Sequence, residues 1–256
     1  MTQLADLSLS AVAAAIHGGT VSSLEVTQAC LARIEERQPT LNCFIAIEHE
    51  DALAAAARAD SARARGDSLG PLHGVPLAHK DMFYRAGKVC TCGSKIRSDF
   101  RPSFTSTVIE RLQAAGAIHV GTLNMVEFAA GGTGHNDHFG DCLNPWNPQY
   151  TPMGSSSGSG AAVGARMVYG ALGSDTGGSV RLPAVASGVV GLKPSYGRVS
   201  RYGVMPRSWA TDSIGPLTRT VRDCARMTAI IAGQDERDST TVALAVPDYE
   251  ASIESS

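Results

Sequence analysis

The 256-residue sequence predicts an α/β fold, with helices packed against a central sheet, and three observations carry the prediction. Glycine (27 residues) and alanine are abundant while aromatics make up 5%, which suits close-packed helix and sheet layers better than a β-sandwich. Residues 107–115 read as a helix stopped by Gly116, and the apolar residues 117–120 follow at once as a strand. Short apolar runs around Val75, Ile118, Leu172 and Val190 read as central, buried strands.

The elements follow in order. Residues 8–16 form a short Ala-rich helix stopped by Gly18-Gly19. Ser22-x-x-Glu25 is a capping box that opens a second helix, expected to run to about Arg37 and to end at Pro39. Residues 41–47 suit a strand, and 51–65 a third helix ending at Gly66. This divides the chain into an N-terminal helical layer, 1–70, and a single continuous core, 71–256. Residues 74–81 form a strand that delivers Lys80 and Asp81 at its end. The stretch 131–152 is too rich in Gly, Asn and Pro for a regular element. After Gly160 an Ala-rich helix is expected to reach Tyr169, and residues 189–192 form a small strand. Residues 220–231 form a helix closed by Gly233, and 242–256 show no final element.

Composition excludes several classes of function. The formal net charge is −2, with no Lys/Arg block to mark a nucleic-acid footprint. No stretch reaches the ~18 unbroken apolar residues of a membrane span, and the N-terminus lacks a signal-peptide pattern. Of six scattered cysteines only Cys90 and Cys92 are close, and no second pair completes a zinc ribbon. Reduced thiols in a cytoplasm are the simplest expectation. The run from His135 through His138 and Asp141 to Cys142 groups four potential metal ligands, but it is not H-E-x-x-H and its glycines argue against a helix. A polar loop beside a pocket is the preferred reading, with no metal and no cofactor.

Three segments can carry chemistry. In Gly177-Gly178-Ser179, paired glycines let the backbone approach a substrate closely, and successive N–H groups can converge on one point as an oxyanion hole requires. Ser179 beside such a hole is placed to be a nucleophile, although for a bare G-G-S taken alone a tight turn before a helix is the far commoner explanation. Ser155-Ser156-Ser157 has the look of a linker, yet Pro152 and an apolar helix bracket it, and no Walker lysine follows it. Lys80 ends an apolar strand. It is either a surface lysine paired with Asp81 or a base whose pKa must fall from about 10.4 toward about 7–8 by desolvation.

Together these segments resemble the amidase signature family over about residues 72–248. Gly74-Val-Pro-Leu-Ala-His-Lys80-Asp81 is similar to the family's lysine segment, Gly154-Ser155-Ser156-Ser157-Gly158 to its glycine/serine loop, and Gly173-Ser-Asp-Thr-Gly-Gly-Ser179-Val-Arg181 to its nucleophile segment. The spacings match as well, with 75 positions from Lys80 to Ser155 and 24 from Ser155 to Ser179. The resemblance implies α/β/α layers with a mixed central sheet flanked by helices, the C-terminal part of that fold being absent here. It also implies a hydrolase of amide bonds that works through an acyl-enzyme: Ser179 as nucleophile, Ser155 as bridging serine after a cis peptide bond to Gly154, and Lys80 as base. Backbone N–H groups of Thr176, Gly177, Gly178 and Ser179 are implied to form the oxyanion hole. Met153, Gly154, Ser156, Asp175 and Arg181 are implied as substrate or loop supports, Arg181 either contacting an anionic substrate or holding the loop. Met153 stands where a glycine is common, and Ser157 where another is frequent.

Asn124-Met-Val-Glu-Phe128, Asn144-Pro-Trp146, Tyr196-Gly-Arg-Val-Ser-Arg-Tyr202 and Pro247-Asp-Tyr249 resemble the glutamine-hydrolysing subunits of tRNA-dependent amidotransferases, which are members of the same family. Three readings follow: a stand-alone amidase, a glutaminase component of an amidotransferase, and an inactive fragment. The expected ligand is a small-molecule amide. The chain is expected to be a homodimer or to join partner subunits, without direct contact to nucleic acid or membrane.

Overall fold

The computed structural model describes residues 4–254. Helix α1 (Leu9–His17) is N-capped by Ser8, and α2 (Ser23–Leu41) opens on the Ser22/Glu25 capping box. Strand β1 (Phe44–Ile47) and helix α3 (His49–Ala64) follow, then β2 (Pro76–Lys80), α4 (Thr107–Ala114) and β3 (Ile118–Leu123). Next come α5 (Ser157–Gly164), β4 (Gly170–Asp175), α6 (Arg181–Ser187), β5 (Val190–Gly191), β6 (Ser213–Thr218), α7 (Val221–Ile231) and α8 (Ala251–Glu254).

The six strands form one mixed sheet in the order β1-β3-β2-β4-β6-β5. The middle strands β3, β2 and β4 are parallel, and β1, β6 and β5 join antiparallel. Neighbouring residues in a strand serve opposite layers, as the pleat requires. Leu77 and Leu172 pack with α1, α4 and α7, whereas Ala78 and Ala171 pack with α3, α5 and α6. The fold is therefore α/β/α.

Several elements depart from expectation. Helix α2 continues past Pro39 to Leu41, because a proline in the last turn forfeits one hydrogen bond while Leu41 gains a fully buried place. Gln38 then clamps the exit, its side-chain amide bonding both the N–H and the carbonyl of Phe44. Helix α5 starts at Ser157 inside the Gly/Ser stretch and stops at Gly164, short of Tyr169. Its glycines allow close packing: a Cβ on Gly158 would meet backbone of Cys43 and Asn124, and one on Gly160 would meet Pro183. Strand β5 is a two-residue sheet edge with Val190 only half-buried, not a central strand. Helix α6 and strand β6 are not legible in the sequence, since each contains a proline that masks the pattern. A short final helix, α8, forms where the sequence shows no element, its first turn held by Asp248.

Candidate active site

Chain order places the site. From β2 the chain crosses to β3 on one side, then returns past β2 to lay β4 on the other. The crevice at the carboxyl ends of β2 and β4 is a topological switch point, where open α/β sheets gather ligands. Lys80 is the last residue of β2, and Ser174-Asp175 end β4.

Lys80 is 1% exposed. Its Nζ donates to Ser155 Oγ at 2.7 Å and to Ser174 Oγ at 2.9 Å. Burial pulls its pKa down from 10.5 to about 7, against the opposing charges of Asp212 and Asp175. Asp81 is not its partner. That carboxylate turns into the next loop, where it accepts from the N–H and hydroxyl of Thr91, and burial pushes it up to about 6.

Ser155 is fully buried and follows a cis peptide bond from Gly154. Gly154 N–H donates to Gly132 O, and Ser155 O accepts from Val126 N–H, so two loops fix the serine from either side. Ser156 ties this segment to β4: its Oγ accepts from Ser174 N–H and donates to Ser174 O, both at 3.3 Å. Met153 has φ of +60° and is half-buried at the mouth of the loop.

Ser179 lies half-buried in the turn between β4 and α6. Its carbonyl accepts from Ser156 N–H at 3.3 Å, and its Oγ has no hydrogen-bond partner among the described residues. Asp175, fully buried, organises that turn. Its carboxylate accepts from Gly178 N–H at 2.7 Å, from Val180 N–H at 3.1 Å and from the Arg181 guanidinium. Burial pushes Asp175 upward, but these donors outweigh it and hold the carboxyl below its ordinary range. Gly178 N–H thus braces the loop from within. Of the four expected oxyanion donors, Thr176, Gly177 and Ser179 keep N–H groups without an intramolecular acceptor among the described residues.

Two contributors are missed by the sequence reading. Ser174 touches Lys80 directly; its place in Gly173-Ser-Asp175 was a signal, since it neighbours Asp175 at a strand end. Asp212, 7% exposed, accepts the Thr176 hydroxyl at 2.5 Å, and a lone aspartate in a polar loop gave no signal at all. Both border a cavity of about 290 Å³ whose wall includes the aromatic residues Tyr84, Phe104, Tyr202 and Trp209. The histidines of the 135–142 loop pair singly, His135 with Asp141 and His138 with Glu127.

The family model described as Amidase matches residues 25–256. The chain belongs to this amidase family. A glutamyl-tRNA(Gln) amidotransferase protein of Chloroflexus aurantiacus, the A component of that enzyme, is 48% identical to it over 253 residues, which cover 99% of the chain and 52% of that protein. Among solved amidase-family structures, the native peptide amidase of Stenotrophomonas maltophilia superposes with a TM-score of 0.91 at 38% identity, over 96% of this chain and 52% of that one. The corresponding glutamyl-tRNA(Gln) amidotransferase component of Thermotoga maritima gives 0.82 at 36%, over 96% and 51%. The chain spans about half the length of the amidase relatives it matches.

Proposed function

We propose that this chain carries the reacting groups of an amide hydrolase that works through Ser179, Ser155 and Lys80. The supporting observation is the 2.7 Å bond between Ser155 Oγ and a buried Lys80 whose pKa is brought to about 7. A lysine in that state is half neutral near pH 7 and can take a proton. Ser179 Oγ attacks the amide carbonyl and passes its proton to Ser155, which passes its own to Lys80. The oxyanion is met by the free N–H groups of the Thr176–Ser179 turn. The proton then returns along the same chain to the leaving amine, and water hydrolyses the acyl-enzyme.

The test is phosphonylation of the purified chain by a fluorophosphonate, with loss of fluoride, mapped by mass spectrometry. Label on Ser179 alone, lost in Ser155→Ala and Lys80→Ala, is expected; label on another serine with Ser179 clean rejects the assignment.

A second reading, glutamine hydrolysis as one component of an amidotransferase, is favoured by the 48% identity to such a protein. Ammonia release from glutamine, set against release from a simple anilide, separates the two.

A further inference from the structure

Asp212 closes the turn that precedes β6 and touches two loops at once. Its Oδ2 accepts from the N–H groups of Arg207 at 2.7 Å and Ser208 at 2.8 Å, so the turn wraps around the carboxylate. Its Oδ1 accepts from Thr176 Oγ1, the side chain of the first residue after β4. Thr176 begins the segment that carries Ser179. With Met82 and Ser174, the second acceptor of Lys80, Asp212 also lines the cavity of about 290 Å³.

The charge on Asp212 differs from that on its neighbours. Asp175 spends its charge on Arg181, and Asp81 faces the Thr91–Gly93 loop. Asp212 has only neutral donors and no ion pair among the described residues. An unneutralised, buried carboxylate keeps its field at short range, because little water screens it.

We propose that Asp212 is a positioning residue for amide hydrolysis, anchoring the nucleophile turn through Thr176 and setting a carboxylate without an ion pair on the cavity wall it shares with Ser174, whose hydroxyl bonds Lys80. The inference rests on the roles given above to Ser179 and Lys80. Burial alone favours the neutral amine, which is then available near neutrality but is a weaker base. The carboxylates of Asp212 and Asp175 both favour the ammonium against that burial, and of the two only Asp175 is neutralised by an arginine. A lysine so balanced both takes and returns a proton near neutrality.

The charge is tested without any need for turnover. The sequence has four lysines, Lys80, Lys88, Lys95 and Lys193, so ¹³Cε lysine NMR resolves Lys80 once Lys80→Met assigns it. In Asp212→Asn the Lys80 midpoint should fall by about half a pH unit or more. The acid limb of Ser179 labelling should move down in pH by the same amount. The anchor is tested separately. Thr176→Val should slow Ser179 labelling about tenfold with the Lys80 midpoint unmoved, and Thr176→Ser should restore it. A Lys80 midpoint unchanged in a folded Asp212→Asn protein overturns the charge role; wild-type labelling in Thr176→Val overturns the anchor. If Ser179 never labels yet Asp212→Asn still moves Lys80, the hydrolase reading fails and the electrostatic assignment stands.

Discussion

Arg181 and Asp175 form a two-point ion pair, Nε to Oδ2 at 3.0 Å and Nη2 to Oδ1 at 2.9 Å. The arginine is half exposed while the carboxylate has no exposure, so the cation serves a buried anion from the solvent side. A planar guanidinium can meet both oxygens, whereas an ammonium is a point charge. Arg181→Lys should therefore keep the charge yet loosen the 175–181 turn, slowing Ser179 labelling about tenfold. If labelling in Arg181→Lys equals wild type, the bidentate geometry is irrelevant to the nucleophile.

Labelling of Ser179 should rise with pH and level off above a midpoint near the Lys80 value of about 7. The sign follows from the neutral amine being the active form. Lys80→Ala should lose at least about a hundredfold, and Lys80→Arg should fare no better because guanidinium stays protonated. An arginine variant with wild-type labelling would rule out the base.

The same lysine should cost stability. Its folded pKa of about 7 lies below the ordinary 10.5, so between these values the unfolded chain binds more protons. The penalty is full below pH 7 and fades as pH climbs toward 10.5. Lys80→Met should thus be more stable than wild type at pH 6, by roughly 1–4 kcal/mol, with the gap closing by pH 10. Urea unfolding at the two pH values checks this, and a gap independent of pH contradicts it.

Ser155 and Ser156 should separate cleanly. Ser155 Oγ meets Lys80, while Ser156 Oγ bridges the Ser174 N–H and carbonyl. Ser155→Ala should abolish labelling with little change in melting. Ser156→Ala leaves backbone groups of a buried strand unpaired and should cost about 1–3 kcal/mol. Equal melting of the two variants speaks against this division.

The local devices of the fold were readable because each is a short-range signal. Ser22 and Glu25 lie three residues apart and do what their spacing says. The misreadings arose where tertiary packing overruled a local rule. Pro39 did not end α2 because Leu41 is buried, and the glycines at 158 and 160 are helix interior because another backbone lies against them. At the candidate site, Lys80, Ser155 and Ser179 stand in the segments that the family resemblance singles out. Asp212 reaches Thr176 across 36 positions with nothing in the intervening sequence to announce it. The commitment of Gly178 N–H to Asp175 was equally hidden, since a run of glycines does not say which amide points inward.

The six cysteines all end as buried free thiols, and they lie in different parts of the molecule. Cys43 and Cys142 meet in the layer under α5, and Cys90 and Cys92 sit in the loop that wraps Asp81. Cys30 lies in α2 and Cys224 in α7, where burial pushes their pKa up to about 12 and about 11. A thiol so protonated and enclosed reacts only after its surroundings open. Alkylation followed by peptide mapping therefore turns these side chains into six clocks, each timing the opening of its own neighbourhood. The order in which they start would chart how the interior comes apart, and whether the loop beside Lys80 yields before the sheet does.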